Sequence, residues 1–375
     1  MMKSDSLLIS SYLFSDTPLV LHSKRCLRNV QVAYTINGNM KPGIPIIYIA
    51  HSLTGDQYVA SDNPITKRKG WWTEYVGKGK VIDTDKYCII CSNVLGGCMG
   101  TTGPATMISP DEERYWGGDF PVITIQDMIK VQREFLRSLG IDKLHAIIGG
   151  SMGGMQALEW LRLYPEITNR YIVIASSYRQ PVQNIGFHEI GRNAIQLDPN
   201  WLSGHYLSEN KKPSKGLKIA RMVAHMTYLS SNGITKKFGR RLQDKNDKSY
   251  NIDEIDFQLE SYLNYQGWTF TDRFDPCSYI YITKAVDYFD QSEDFFGDLN
   301  EAYSHIPKLD KKSVDMIGYD SDWLYPISEM ETIRDAINLN GGKSSLTEFS
   351  SIYGHDSFLL HDVRLQKKIY GRLNE

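Results

Sequence analysis

No run of apolar residues in this chain approaches the length of a membrane span, which excludes a helical membrane protein. There is no concentrated basic run either, and the formal net charge is −2, so nucleic acid and anionic membrane are poor partners. Cysteine is sparse: Cys26, Cys88, Cys91, Cys98 and Cys277 form an odd, scattered set. Cys88 and Cys91 have Cys-x-x-Cys spacing, but they lie in an apolar strand-like run and lack the second pair that a zinc site needs. Reduced, mostly buried thiols in a cytoplasmic protein are expected. Residues 1–6 lack a signal-peptide apolar region and cleavage site, so no leader is expected. Internal repeats and low-complexity linkers are missing too. What is present is ordinary for a globular chain, 41% hydrophobic and 23% charged over 375 residues, enough for one large domain with an insertion or for two.

Along the chain, Leu7-Leu8-Ile9-Ser10, Pro18-Leu19-Val20-Leu21 and Val30-Gln31-Val32-Ala33-Tyr34 are short strand-like runs separated by turn residues. They predict an antiparallel meander at a sheet edge. Residues 44–50 and 87–91 are nearly continuous apolar runs, the pattern of strands covered on both faces. Residues 125–139 show helix spacing, with Ile125, Met128, Ile129, Gln132, Leu136 and Leu139 along one side. Strand, helix and strand follow up to residue 175. From 179 to about 300 the alternation stops, and polar and aromatic residues predict several helices with loops. It returns with a strand at 314–319, a helix around 327–337, a strand near 346–349 and a terminal helix from about Ser357. This order predicts an α/β fold, a mostly parallel sheet with helices on both faces. Its core is expected over 1–178 and 301–375, with 179–300 inserted as a helical lid.

The stretch around which the core is organised runs from Leu144 through Gly149-Gly150-Ser151-Met152-Gly153 to Trp160. A strand, a tight Gly-x-Ser-x-Gly turn and a helix are the context of a nucleophile elbow. A serine at the tip of such a turn has a strained backbone, so Gly149 and Gly153 must lack side chains. The helix that starts immediately afterwards presents free N–H groups and its positive dipole end to any oxyanion formed there.

A serine hydroxyl needs a base, and the base needs an orienting acid. In α/β-hydrolase order these follow as serine, acid, histidine. His355 and His361 alone lie beyond the last core strand. His355 occupies a glycine-flanked loop and is the expected base; His361 falls in the helix pattern that follows and is expected at the surface or in packing. For the acid, Asp320 and Asp322 both follow the preceding strand and spacing does not choose between them, while Asp315 lies within the strand. Two converging N–H donors are required for the oxyanion, and Met152 and Leu53 are the expected pair. His51, at the end of a buried strand, is expected to be structural.

With these residues assembled, the chain resembles the homoserine O-acetyltransferases of methionine biosynthesis over nearly its whole length. The carriers are His51-Ser52-Leu53-Thr54-Gly55-Asp56, the loop from Asn93 to Pro104, Asp119-Phe120-Pro121-Val122-Ile123-Thr124-Ile125-Gln126-Asp127-Met128, the elbow from Ile148 to Trp160, Glu260-Ser261-Tyr262-Leu263-Asn264-Tyr265-Gln266-Gly267 and Arg273-Phe274-Asp275-Pro276-Cys277-Ser278-Tyr279. The resemblance implies an α/β-hydrolase fold and selects Asp322, within Ser321-Asp322-Trp323-Leu324-Tyr325, as the acid. It also implies that Arg221 holds the homoserine carboxylate with Tyr228 close by, and that Asp356 pairs with the substrate ammonium. From the residues alone these three read as a lid salt bridge, lid packing and a helix N-terminal residue. The implied reaction takes acetyl from acetyl-CoA to L-homoserine with no metal or prosthetic group, in a homodimer packed through the lid. Ser52, Met99 and Pro276-Cys277 depart from the family's usual residues. Related proteins on this scaffold use succinyl-CoA or accept serine. A plain esterase and a non-catalytic binding protein are the readings outside the family.

Overall fold

The computed structural model describes residues 8–109 and 112–375. Leu7 of the first strand-like run, and the residues 1–6 where no leader is expected, lie outside them. The main sheet has eight strands: β1 (Leu8–Ile9), β2 (Ala33–Asn37), β3 (Ile46–Ala50), β4 (Cys88–Ser92), β5 (Ala146–Gly150), β6 (Arg170–Ile174), β7 (Ser313–Tyr319) and β8 (Lys343–Phe349). Their spatial order is β1-β2-β4-β3-β5-β6-β7-β8. The pairs β1–β2 and β2–β4 are antiparallel and all others are parallel.

Side-chain alternation explains the apolar runs. In β3, Tyr48 and Ala50 join one core cluster while Ile47 and Ile49 join another; in β6, Tyr171 and Val173 separate in the same way from Ile172 and Ile174. A strand buried on both faces has no polar side to show. Helices α1 (Ile125–Ser138) and α2 (Met152–Leu163) pack into the first cluster, together with the helix Ile327–Leu339. The second cluster is covered by the Trp72–Tyr75 segment and the helix Val363–Leu373. Helix α1 starts at a capping box in which Thr124 and Asp127 satisfy each other's backbone N–H.

Between β6 and β7 come α3 (Val182–Gln196), α4 (Ser214–Tyr228), α5 (Ser231–Phe238), α6 (Gln258–Thr271), α7 (Pro276–Asp287) and α8 (Leu299–Ser304). The boundary expected at 300 cuts through α8, whose Leu299, Ala302 and Tyr303 share the core cluster of α1 and α2. Two more helices complete the chain, α9 (Ile327–Leu339) and α10 (Val363–Leu373). No helix among the described residues is long and apolar enough to cross a membrane.

Two sequence expectations need correction. Of the N-terminal meander, only β1 and β2 belong to the main sheet, and Leu19–Val20 forms a separate hairpin with Cys26–Leu27. Strand β2 already has a neighbour on each edge, so Leu19–Val20 finds no place beside it. The terminal helix begins at Val363 rather than near Ser357. Residues Gly354–Leu359 form 3-10 turns instead, and the side chain of Asp362 accepts the Arg364 N–H to cap α10.

The closest approach in the core is at the β5–α2 junction. A Cβ on Gly149 would lie 2.0 Å from Gly153 O, and one on Gly153 would lie 2.1 Å from Ala50 O. Gly153→Ala is expected to cost about 1–3 kcal/mol through this overpacking. Gly371→Ala, in α10 with nothing within 4 Å of the added carbon, is expected to gain about 0.5–1 kcal/mol. Urea unfolding of the two variants beside the parent checks both signs.

Candidate active site

Ser151 sits between β5 and α2 with φ 59° and ψ −126°, a conformation that only a firmly held side-chain-bearing residue keeps. Its N–H donates to Ile174 O at 2.9 Å and its carbonyl accepts from Ser176 Oγ at 2.9 Å, so the turn is tied to the end of β6. Ser151 Oγ lies 2.8 Å from His355 Nε2, and His355 Nδ1 lies 2.8 Å from Asp322 Oδ2. An ionised carboxylate only accepts, so Nδ1 carries the ring proton and Nε2 is left to accept from the serine hydroxyl. All three side chains are buried.

The loop after β7 resolves the choice of acid. Asp322 Oδ1 accepts from the N–H groups of Leu324 and Tyr325, both at 3.0 Å, which aims Oδ2 at the imidazole. Asp320 is exposed and accepts instead from Ser351 N at 2.9 Å. Asp315 faces away, bonded to Ser345 Oγ at 2.6 Å and paired with Arg372 at 2.8 Å. His355 is carried by a loop that turns at Gly354, with φ 64°; a Cβ there would meet Tyr228 O and Ser230 N, each at 2.7 Å. Ser321 supports the same loop, its Oγ accepting from Gly354 N at 3.1 Å. His361 is exposed, 3.2 Å from Glu74, and precedes α10 rather than lying in it.

His51 is buried away from Ser151. Its Nδ1 donates to Ser52 O at 2.8 Å and its Nε2 accepts from Val94 N at 3.2 Å. Burial lowers its pKa and keeps it neutral, as both bonds require. For His355, burial likewise opposes the charge, but the charge and hydrogen bond of Asp322, helped by Asp356, outweigh it and raise the pKa.

Two cavities adjoin the serine. One, of about 100 Å³, is lined by Ser52, Leu53, Thr54, Arg221, Tyr228 and Asp356 together with Ser151 and His355. The other, of about 30 Å³, is lined by Leu53, Met152, Phe187, Val223, Tyr279 and Leu324, among others, and by no lysine or arginine. Met152 is the first residue of α2, where the N–H has no acceptor within the helix. Arg221 Nη1 donates to Thr54 Oγ1 at 3.3 Å, and its guanidinium lies 5.4 Å from the Tyr228 ring centre. The Tyr228 ring is 6.1 Å from that of His355. Burial raises the pKa of Asp356, against the opposing pull of His355 and Arg221. Seven of the eight site residues expected from sequence thus line one or both of these cavities, and the eighth, Asp322, stands behind His355. Thr54, Ser176 and Ser321, which also hold the site, carry no local signature beyond the quoted motifs.

Residues 45–362 match the family described as alpha/beta hydrolase fold. A protein of Zymomonas mobilis named homoserine O-acetyltransferase is 49% identical over 356 residues, 95% of this chain and 94% of its own length. One of the same name from Methanococcus vannielii is 47% identical over 358 residues, 95% of this chain and 71% of its own length. Among solved structures, homoserine O-acetyltransferase from Bacillus anthracis superimposes with a TM-score of 0.86 at 26% identity, covering 98% of both chains. Esterase E22 follows with a TM-score of 0.83 at 26% identity, over 98% of this chain and 100% of that one. The chain belongs to the homoserine O-acetyltransferase family, on the α/β-hydrolase fold.

Proposed function

We propose that the chain transfers the acetyl group of acetyl-CoA to the side-chain hydroxyl of L-homoserine through an acetyl-Ser151 intermediate, as a step in methionine biosynthesis. The observation that carries this is the line Ser151–His355–Asp322, at 2.8 Å per contact, opening on a cavity that holds one cation, Arg221, and one anion, Asp356. Those two charges suit the carboxylate and ammonium of an amino acid, with Tyr228 beside them.

His355 takes the Ser151 proton as Oγ attacks the thioester carbonyl. The tetrahedral oxyanion is received by the N–H groups of Leu53 and Met152. Collapse expels the thiol of coenzyme A, protonated by His355. Homoserine then enters, Arg221 and Asp356 hold its charged ends, and His355 removes the proton of its hydroxyl as that oxygen attacks the acetyl-serine. Collapse releases O-acetylhomoserine and restores the serine. Every step in this reading uses the chain's own side chains and backbone N–H groups with two co-substrates, and calls for no metal or prosthetic group. The narrow cavity, lined by no lysine or arginine, favours acetyl over succinyl as the donor group, because its one basic side chain, His188, is already bonded to Asp287 at 2.6 Å and a succinyl carboxylate would be left unpaired there.

The helical region 179–300 acts in this reading as a lid, α4 supplying Arg221 and Tyr228. Its outer face supports a homodimer: Val182 and Ile190 of α3 and Leu197 just after it are exposed, as are Ile219 and Met226 of α4. A cytoplasmic location accords with five free cysteines. A plain esterase, as in the similar E22 structure, is the competing reading.

Treatment with acetyl-CoA alone is expected to add one acetyl mass at Ser151, and homoserine to remove it as O-acetylhomoserine rather than acetate. Acetate release unaffected by homoserine would favour the esterase. Succinyl-CoA and serine, assayed alongside, are expected to turn over more slowly. Arg221→Ala is expected to raise the homoserine KM by about 10- to 100-fold, the loss of a charge-assisted bidentate contact of about 1.5–3 kcal/mol. Because the base must be neutral and its pKa is raised, kcat/KM for acetyl-CoA is expected to climb with pH through a midpoint above about 6.5. Asp322→Asn is expected to lower that midpoint and cut kcat by about 10,000-fold. Analytical ultracentrifugation is expected to give twice the chain mass.

A further inference from the structure

Thr54 is held by two arginines. Its carbonyl accepts from Arg273 Nη1 at 2.9 Å, and its hydroxyl from Arg221 Nη1 at 3.3 Å. Both guanidinium groups also lie over the Phe270 ring, 4.9 and 4.7 Å from its centre. Arg221 faces the cavity beside Ser151, but Arg273 lines neither cavity there. It comes from the short link between α6 and α7, fixed where Asp275 caps α7 by accepting from Ser278 N at 2.8 Å. Its Nε is enclosed and has no hydrogen-bond partner among the described residues. Burial, then the charges of Arg221 and Arg68, draw its pKa down to about 9, with Asp56 offsetting part of this, so it remains a cation at neutral pH.

An enclosed guanidinium beside a second cation is unfavourable unless its donors do something a neutral side chain could not. What it grips is the turn over residues 52–55. That turn is closed by Gly55 N donating to Ser52 O at 2.9 Å, and the same carbonyl accepts from His51 Nδ1 at 2.8 Å. Turn closure uses neither the N–H of the second residue, Leu53, nor the carbonyl of the third, Thr54. Arg273 takes the carbonyl, which fixes the tilt of the turn about its ends.

We infer that Arg273 is a positioning residue: by holding the Thr54 carbonyl it keeps the Leu53 N–H aimed at the oxyanion, while Arg221 is carried separately by α4. This rests on the acetyl-serine reading, in which Leu53 serves the oxyanion. Donors must be held to within about 0.5 Å to act in the transition state, so a loosened turn slows both halves of the reaction.

The test is rapid mixing of the full-length protein with acetyl-CoA, following the burst of free thiol, and then steady-state transfer to homoserine. Arg273→Met is expected to slow the burst rate constant by about 10- to 100-fold, below the loss from deleting an oxyanion donor outright. Its kcat is expected to fall likewise while the homoserine KM moves less than about threefold, because Arg221 stays in place. A merely structural role would lower the burst amplitude and leave its rate constant alone, and that result overturns the inference. Should Arg273→Met not fold, Arg273→Lys, which keeps the charge without the fork, is expected to slow the burst about tenfold. A wild-type burst rate from either folded variant rejects the assignment. If the unmodified protein shows no burst, the acetyl-serine reading falls and takes this inference with it; with a normal parent burst, an unchanged variant rate overturns only the role of Arg273.

Discussion

Helix α2 approaches β5 and β3 so closely that no methyl group fits at Gly149 or Gly153, and the rest of the site depends on that contact. Bringing the helix in so tightly forces the intervening residue into a left-handed backbone, which lifts the Ser151 side chain clear of the sheet. It also sets the first N–H groups of α2 beside the end of β3, from which the turn bearing Leu53 departs. In the proposed reaction, a nucleophile and an oxyanion site are thus made by one packing event between backbone atoms. The base and acid are then delivered by the loops following β8 and β7, at the same edge of the parallel strands, as expected for a sheet of this class.

Charge is placed with similar restraint. Asp322 gives its Oδ1 to two backbone donors and its Oδ2 to the imidazole, so it is fully engaged without solvent. Arg221 and Asp356, by contrast, are left facing a cavity, where neither has a partner of opposite sign in hydrogen-bond contact among the described residues. Side chains in that condition favour a ligand that carries both charges. The second, smaller cavity has no lysine or arginine in its wall, its His188 is bonded to Asp287, and aliphatic and aromatic groups make up most of the rest, a surface matched to a short neutral acyl group.

Much of this is legible in the sequence wherever the cause is local. The central strands are buried on both faces and therefore read as unbroken apolar runs, and the turn motif marks the elbow glycines, although only Gly149 is constrained within a few residues of Ser151 while Gly153 is constrained by Ala50 on β3. Chain order narrows the base to His355 and His361, and the glycine-flanked loop selects His355. The acid is ambiguous because Asp320 and Asp322 occupy one loop and differ in burial and in the two N–H donors that follow, neither of which composition reveals. Arg221, Tyr228 and Asp356 come only through resemblance, since their meaning depends on α4 folding back over the sheet. Arg273 has no legible role at all, because its bond reaches a carbonyl 219 residues earlier. The start of α10 is misplaced by the sequence pattern although Asp362, a suitable cap ahead of Val363, is in view.

The contact of Gly354 with the end of α4 has a further consequence. The histidine loop abuts Tyr228 O and Ser230 N with no space for a side chain, so the outer helices are not a free cover laid on a finished catalytic core. Any drift of α4 would press directly on the segment that carries the proton acceptor. The junction from 228 to 230 and its glycine counterpart must therefore evolve as a single unit.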